Sequence, residues 1–507
     1  MRRVVTPLIV LALVAAACSG SSETRSTTTA VTVSTPATAG ATTTAPTAVS
    51  VTTTSALETD RGIATDTGPV IPLQNGIGDP YYPALGNTGY DVDHYTLEFA
   101  FDPETDVLSG IVTINATAEE RLDRVNLDFI GFDIAEIIVD GSNADFARSD
   151  VELTIRPPTV LPAGEEFSIQ LRYSGIPQPV TSPAAAFGVG WTTSPTGQRF
   201  VFGEPDGART WFPANDHPLD KATFTFLLTV PEPLLAAANG ILVDRSTAGG
   251  QSTWVWEMND PMAPYLATVV IGDFAIVDDP ESSDIAGIPV RNVLPPDLQA
   301  SVPEEVLLQG EMIEFFAELF GPFPFETYGI AVVDGFPAAL ENQTLSVFGR
   351  PLLDEIVVVH ELAHQWFGDH VSTAQWQDIW LNEGFASYAE WLWIEANLGT
   401  GALAVGITQE RDRFVGAGFP PPGLPPSTDL FSPSVYRIGA MTLHALRLTV
   451  GDEAFFTTLR TYVGRFGGGT ATTGDFIAVA EEVSGQDLDE LFTDWLFGAD
   501  VPEFPVE

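Results

Sequence analysis

The chain has 507 residues, of which 68 are acidic and 21 are basic, so its formal net charge at pH 7 is −47. Its length and its 45% content of hydrophobic residues allow more than one hydrophobic core. A surface this acidic repels nucleic acids and anionic lipids, so we exclude polyanion binding as a main role and expect no nucleic acid partner.

The first 18 residues are typical of a secretion signal that ends in a lipidation site. Arg2 and Arg3 provide a basic start, and the apolar run from Pro7 to Ala17 is too short to cross a bilayer. Cys18, the only cysteine of the chain, follows alanines in the manner of a bacterial lipobox. Ordinary cleavage after Ala17, with an incidental cysteine, is the alternative. We predict an exported protein that is either secreted or held at the cell surface by a lipid on Cys18.

Two further regions precede the main functional motif. Residues 19–77 are dominated by Ser, Thr, Ala, Val and Pro without helical or strand periodicity, which predicts a disordered tether. Residues 78–278 contain short runs in which polar and apolar side chains alternate, such as His94–Phe101 and Ser109–Ala118, separated by Gly, Pro, Asn and Asp. This period of two predicts an antiparallel β domain.

Residues 279–507 show a different pattern, which predicts a mainly helical second domain. Pro303–Phe320 and Asp475–Phe497 have the apolar spacing of helices, and Ala338–Arg350 is predicted to be one strand. Residues 400–426 are rich in Gly and Pro and are predicted to form a loop around a cleft.

The strongest functional signal is the sequence HELAHQWFG, which begins at His360. On a helix, His360 and His364 leave the same face one turn apart, which is the spacing that two zinc ligands require. Glu361 is placed to accept a proton from water at the metal. Glu383, nineteen residues after His364 on a second predicted helix, completes the two-His, one-Glu set of catalytic zinc sites. We therefore predict one Zn²⁺ per chain.

The alternative to a metal site is an HExxH sequence that arose by chance on a solvated helix. The chain has only six histidines, and two of them lie in this motif within an apolar segment, where an imidazole needs a partner. This favours the metal site. Asp378 is a candidate for orienting one of the ligand histidines.

HELAHQWFG followed by WLNEGFA resembles the gluzincin aminopeptidases, zinc peptidases that include alanyl aminopeptidase and the leukotriene hydrolases. The resemblance extends over about residues 78–505 and implies a short, exported bacterial member. The implied fold is α+β and multidomain, with an N-terminal antiparallel β domain followed by a thermolysin-like, mainly helical zinc metallopeptidase domain. The additional domains of longer relatives are not expected after it.

The resemblance also assigns roles to residues outside the zinc motif. Glu204 lies in a Glu-Pro-x-x-Ala-Arg-x-x-Phe-Pro stretch, whose Glu reaches the active site in the family, although Phe202 stands where the family commonly has Gln. Tyr436 matches the Tyr that donates a hydrogen bond to the reaction's oxyanion, although Ile438 replaces the family's Lys.

The segment from Ala338 to Asn342 takes the place of the family's Gly-x-Met-Glu-Asn strand, which pairs with the substrate backbone. The chain keeps Glu341 and Asn342 but has Ala338 and Leu340 in place of the Gly and the Met. The resemblance assigns Ala339, Leu340, Glu341 and Asn342 to substrate binding. Glu204 and Glu341 are expected to bind the substrate's free amine.

The implied function is a zinc-dependent aminopeptidase, active as a monomer, that removes N-terminal residues from peptides with a free N-terminus. Three alternatives are open. An epoxide-hydrolysing relative would share every residue named above, and an endopeptidase would cut N-blocked peptides equally well. A catalytically retired, tethered binding protein would be expected to lack a zinc ligand or the base, and all four of these residues are present.

Overall fold

The computed structural model describes residues 76–149, 151–185 and 187–505. The predicted signal peptide, Cys18 and the tether as far as residue 75 lie outside the described residues. Among the helices of the described ranges, none combines the length and apolar character that a membrane span requires.

The described residues up to 278 form mainly strands. In chain order they are β1 (Tyr90–Asp102), β2 (Val107–Ala118), β3 (Val125–Asp128), β4 (Asp133–Val139), β5 (Ser142–Asn143), β6 (Asp145–Ser149), β7 (Glu152–Arg156), β8 (Glu166–Gly175), β9 (Val180–Thr181), β10 (Gly188–Thr193), β11 (Arg199–Phe202), β12 (Ala222–Pro231), β13 (Leu235–Ala238), β14 (Ile241–Ala248), β15 (Gln251–Met262), β16 (Val269–Gly272) and β17 (Ala275–Asp278).

These strands form an eight-stranded sheet in the order β14-β15-β12-β1-β2-β8-β4-β5, a five-stranded sheet β13-β16-β11-β10-β9 and a small sheet β3-β7-β6. Buried and more exposed residues alternate along β1 and β12, because one face of the large sheet covers the core. The predicted β domain is confirmed. Its pairings are mostly antiparallel, but β1 and β12 run parallel to each other.

The remainder of the described chain is mainly helical. Its elements are α1 (Pro280–Ala286), β18 (Arg291–Leu294), α2 (Pro296–Gln299), α3 (Glu304–Leu307), α4 (Gln309–Phe320), β19 (Ile330–Val333), β20 (Ala339–Leu340), β21 (Ser346–Gly349), α5 (Glu355–Ala363), β22 (Ser372–Thr373), α6 (Trp380–Leu398), α7 (Thr400–Phe414), α8 (Pro433–Val450), α9 (Asp452–Phe466), β23 (Thr470–Ala471), α10 (Thr473–Ser484) and α11 (Asp489–Phe497).

A further five-stranded sheet, ordered β17-β18-β19-β21-β20, lies beside these helices and has β20 at its edge. Its first strand, β17, was assigned by sequence to the N-terminal domain, whereas it pairs with β18. The domain limits at residues 78, 278 and 279 stay predictions. Residues 338–350 were wrongly predicted as one strand. The chain reverses between β20 and β21, where Thr344 has a φ of 66° and the Leu345 N–H donates to the Asn342 carbonyl.

The predicted loop at residues 400–426 is wrong for its first half, which is helix α7. Leu403, Ile407, Glu410 and Phe414 are buried along one side of α7, at the three- and four-residue spacing of an amphipathic helix. Gly399, with a φ of 87°, ends α6 immediately before α7 begins.

Helix α6 is the central helix of this half, because every residue from Trp380 to Trp393 is buried. It packs against α5 and α8. Asp354 caps the N-terminus of α5, because its side chain accepts a hydrogen bond from the Ile356 N–H. The first turn of α6 and the last turn of α5 therefore meet inside the protein, where the zinc motif lies.

Candidate active site

Helices α5 and α6 bring the three predicted metal ligands together. His360 lies on α5, His364 is the residue that caps it, and Glu383 lies in the first turn of α6. Glu383 Oε2 is 3.1 Å from His360 Nε2 and 3.4 Å from His364 Nε2. All three side chains are buried.

The donor set fits zinc. Ligand atoms about 2.0–2.1 Å from a tetrahedral zinc ion are roughly 3.3 Å apart, close to the distances between Glu383 and the two imidazoles. His364 Nε2 is buried without a hydrogen-bond partner among the described residues. Burial alone would raise the pKa of Glu383, but the two neighbouring imidazoles outweigh burial and lower it to about 2. A buried carboxylate facing an unpartnered imidazole nitrogen is a site for a cation.

The other ring nitrogen of each histidine has its own partner. His364 Nδ1 is 3.0 Å from the Phe367 carbonyl, and His360 Nδ1 is 2.9 Å from Glu390 Oε1. Such partners turn Nε2 towards the metal. Glu390 was missed by the sequence analysis, which proposed Asp378; Asp378 instead accepts a hydrogen bond from the Thr473 hydroxyl at 2.7 Å. A signal was present, because Glu390 follows Glu383 by seven residues, about two helical turns, on the same face of α6.

A cavity of about 260 Å³ lies beside these histidines. Its walls contain the zinc-motif residues, apolar side chains and most of the predicted substrate-binding residues. The lining residues are Ala184, Ala185, Phe187, Phe202, Glu204, Ala338, Ala339, Leu340, Glu341, Pro351, Leu352, Leu353, Asp354, Ile356, Val357, His360, Glu361, His364, Glu383, Asp429, Phe431, Pro433, Tyr436 and Arg437. Asn342 is not among them. It is buried, and its Nδ2 donates to the Leu266 carbonyl at 3.0 Å.

Two carboxyl groups in the cavity are buried, and one oxygen of each has no hydrogen-bond partner among the described residues. Glu204 and Glu341 are 3% and 2% exposed, and the oxygen concerned is Oε1 in both. Burial, and then repulsion from Glu341, raises the pKa of Glu204 well above its usual value. Burial also raises the pKa of Glu341, although His364 opposes the shift. A cationic ligand would relieve both effects.

Glu361 and Tyr436 face the same cavity. Carboxylate oxygens of Glu361 and Glu341 and a ring nitrogen of His364 all lie within 4.8 Å of one another. Burial raises the pKa of Glu361 to about 8, against the effect of the neighbouring histidines, so its carboxylate is a better proton acceptor than an exposed Glu. Tyr436 lies in the first turn of α8, with its ring 6.0 Å from the His360 ring and tilted by 19° to it.

Most of the charged side chains that line the cavity are carboxyl groups, and most of the other lining residues are apolar. Its carboxyl groups are those of Glu204, Glu341, Glu361, Glu383, Asp354 and Asp429. Its one guanidinium among the described residues, that of Arg437, already binds Glu390 at 2.7 Å. In the same lining, the rings of Phe187 and Phe202 meet edge to face with centroids 4.9 Å apart. The lining therefore favours a cation next to an apolar group over an anion.

Known domain families match both halves of the chain. The Peptidase M1 N-terminal domain matches residues 91–266, and the Peptidase family M1 domain matches residues 305–414 and 425–495. Among curated proteins, Aminopeptidase M1-B of Oryza sativa subsp. japonica is 30% identical over 58% of this chain and 36% of its own length. Aminopeptidase N of Streptomyces lividans is 29% identical over 58% of this chain and 37% of its own length. The match thus spans only about a third of these relatives.

Solved structures match over nearly their whole length. A variant of the M1 zinc metallopeptidase of Deinococcus radiodurans, bound to the substrate Tyr-Ser-Ala, is 32% identical with a TM-score of 0.80. The alignment covers 85% of this chain and 99% of that structure. A two-domain M1 zinc metallopeptidase bound to L-tryptophan matches equally well, with a TM-score of 0.80 and 100% of its chain covered. The two-domain architecture, the zinc motif and these similarities agree, and the chain belongs to the M1 family of zinc peptidases.

Proposed function

We propose that this protein is a zinc-dependent aminopeptidase that removes residues one at a time from the free N-terminus of peptides. The observation that carries the proposal is the pair of buried carboxyl groups of Glu204 and Glu341, which share one cavity with the His360, His364 and Glu383 cluster. Two carboxylates bind an ammonium group by charge-assisted hydrogen bonds, and an ammonium group distinguishes the end of a peptide from its middle.

Each residue of the cavity has a defined task in this proposal. His360, His364 and Glu383 would hold a zinc ion, which would supply a water nucleophile at neutral pH and polarise the scissile carbonyl. Glu361 accepts the proton of the attacking water and passes it to the nitrogen of the leaving amine. The Tyr436 hydroxyl donates a hydrogen bond to the carbonyl oxygen as negative charge develops on it.

Strand β20 and the two buried carboxyl groups form the proposed substrate site. Strand β20 is the edge of its sheet, so the backbone of Ala339 and Leu340 is available to pair with an extended peptide. The carboxylates of Glu204 and Glu341 then bind the substrate ammonium. The first side chain of the peptide lies against Phe187 and Phe202, because these rings form an apolar part of the cavity that also contains Glu204.

The cavity chemistry favours this proposal over the alternatives. An endopeptidase has no use for two unsatisfied carboxyl groups, because the middle of a peptide carries no ammonium. A fatty-acid epoxide carries a carboxylate, which the acidic lining repels and for which the described lining offers no unpaired cation. A non-catalytic binding protein does not need a proton acceptor such as Glu361 next to the three zinc ligands.

The test compares leucine nitroanilide, N-acetyl-leucine nitroanilide and an epoxide of a long-chain fatty acid as substrates of the zinc-loaded protein. We expect hydrolysis of the first alone, and loss of that activity in Glu361→Gln with zinc retained. Equal cleavage of the acetylated anilide would indicate an endopeptidase. Turnover of the epoxide without the anilide would indicate the hydrolase alternative.

We further propose that the protein is exported as a monomer and held at the cell surface by a lipid on Cys18. The support is the basic and apolar start of the chain, the alanines before Cys18 and the tether-like composition of residues 19–77. We expect the wild type in the membrane fraction and Cys18→Ser in the soluble exported fraction. Recovery of both in the soluble fraction would contradict lipidation, and size-exclusion chromatography with light scattering tests the monomer.

A further inference from the structure

A series of alternating charges runs from the buried His360 to Arg413 at the protein surface. The His360 Nδ1 atom is 2.9 Å from Glu390 Oε1, and Arg437 Nη1 donates to Glu390 Oε2 at 2.7 Å. Arg437 Nε lies 3.9 Å from Glu410 Oε1, and Arg413 Nη1 donates to the other Glu410 oxygen at 2.8 Å. This series of charged side chains links the helices α5, α6, α8 and α7. Apart from His360, none of these residues has a task in the proposed reaction.

Stability alone does not account for the central pair. Glu390 and Arg437 are each 2% exposed, and the desolvation cost of such an ion pair offsets most of its attraction. Apolar side chains of the same size would stabilise the α6–α8 interface at least as well. A buried ion pair of this kind does, however, fix the relative position of the elements that it joins, because breaking it leaves an uncompensated charge.

Arg437 directly follows Tyr436 on α8, so the two side chains leave the helix about 100° apart. With Arg437 turned to Glu390, Tyr436 faces the cavity and lies beside the His360 ring. The helices touch backbone to backbone two residues further on, where a Cβ atom added to Gly439 would lie 3.0 Å from the Gly384 Cα. The rotation of α8 about its axis therefore decides where the Tyr436 hydroxyl lies.

We propose that Glu390 and Arg437 are positioning residues that couple the metal ligand His360 to the oxyanion donor Tyr436. Glu390 orients the His360 imidazole through Nδ1. Arg437 binds the Glu390 carboxylate and thereby fixes the rotation of α8 about its axis. The Tyr436 part rests on the proposed aminopeptidase function, whereas the His360 part concerns metal binding alone. The two parts are therefore tested by separate measurements.

Metal binding is measured by competition between the protein and a chromogenic zinc chelator. We expect Glu390→Gln and Arg437→Gln to weaken zinc binding by about 10- to 100-fold, as loss of a partner of a ligand histidine typically does. Arg437→Lys keeps the charge and should recover part of the affinity. Zinc affinities within threefold of the wild type in both Gln variants would overturn the His360 part.

The coupling to Tyr436 is measured at saturating zinc, by the kcat for leucine nitroanilide in a double-mutant cycle. We expect Arg437→Gln to lower kcat by about tenfold or more with little change in KM, and to have much less effect in the Tyr436→Phe background. Equal factors in the two backgrounds would show that Arg437 does not act through Tyr436. If Arg437→Gln does not fold, Arg437→Lys provides the same comparison.

The same two helices offer a matched control. Arg447 on α8 binds Glu395 on α6 at 2.6 Å, away from the residues that line the cavity. We expect Arg447→Gln to lower the unfolding temperature without changing zinc affinity or kcat. A loss equal to that of Arg437→Gln would assign both effects to α6–α8 packing and overturn the proposal. If the wild type hydrolyses no aminoacyl anilide, the proposed function fails, and the zinc affinities still decide the role of Glu390.

Discussion

Substituting Glu341 by Gln removes one charge from the proposed amine site while keeping the size of the side chain. Glu341 is 2% exposed and has an unpartnered carboxyl oxygen in the cavity, so its carboxylate is available to a substrate ammonium. A hydrogen bond to a charged group contributes about 1.5–3 kcal/mol. Gln retains a neutral acceptor and Glu204 remains in place, so we expect a loss of roughly 1.4–2.8 kcal/mol, which is about 10- to 100-fold in kcat/KM.

The assay is the kcat/KM for leucine nitroanilide at saturating zinc, together with thermal unfolding. Because burial and repulsion raise the pKa of both Glu204 and Glu341, the neutral Gln should leave the unfolding temperature unchanged or higher. The control is Glu318→Gln, which removes the same charge from an exposed position on α4. An unchanged kcat/KM in Glu341→Gln, or an equal loss in the control, would refute the amine site.

Four other predictions follow from the structure. Tyr436→Phe should lower kcat by about 10²–10³ with little change in KM, measured on the same anilide. Phenylalanine and leucine anilides should be cleaved faster than the glutamate anilide, because the cavity lining includes aromatic rings and most of its charged groups are acidic; a faster glutamate anilide would contradict the assignment of this lining. Removal of zinc by a chelator should lower the unfolding temperature, and added zinc should restore it. Burial raises the pKa of Asp128 from 3.8 to about 7, so between these pH values the folded chain retains a proton that the unfolded chain releases. The free energy of unfolding therefore falls as the pH rises through this range. Asp128→Asn should reduce that fall, measured by urea unfolding at pH 5 and pH 8.

The zinc motif was predictable because its chemistry is local. His360 and His364 are one helical turn apart in sequence, and the structure places them on one face of the same helical turn. Glu383 required a second helix, which its apolar neighbours and Gly399 indicated. The alternation of polar and apolar residues in β1 and β2 likewise predicted the β domain, because each strand covers the core with one face.

Long-range contacts were harder to predict. Glu390 is paired with Arg437, 47 residues away, and only the packing of α6 on α8 brings them together. Asn342 belongs to a matching motif, yet the turn after β20 directs its amide to the Leu266 carbonyl instead of the cavity. Helix α7 was mistaken for a loop because glycine content was given more weight than the burial pattern of Leu403, Ile407 and Phe414.

The central claim is that His360, His364 and Glu383 jointly bind one zinc ion. It is tested most directly by an anomalous difference map, recorded at the zinc absorption edge from crystals of the zinc-loaded protein. We expect a single strong peak per chain, bounded by the Nε2 atoms of both histidines and the carboxylate of Glu383. A zinc peak elsewhere, or a peak at this site with Glu383 turned away from it, would contradict the account.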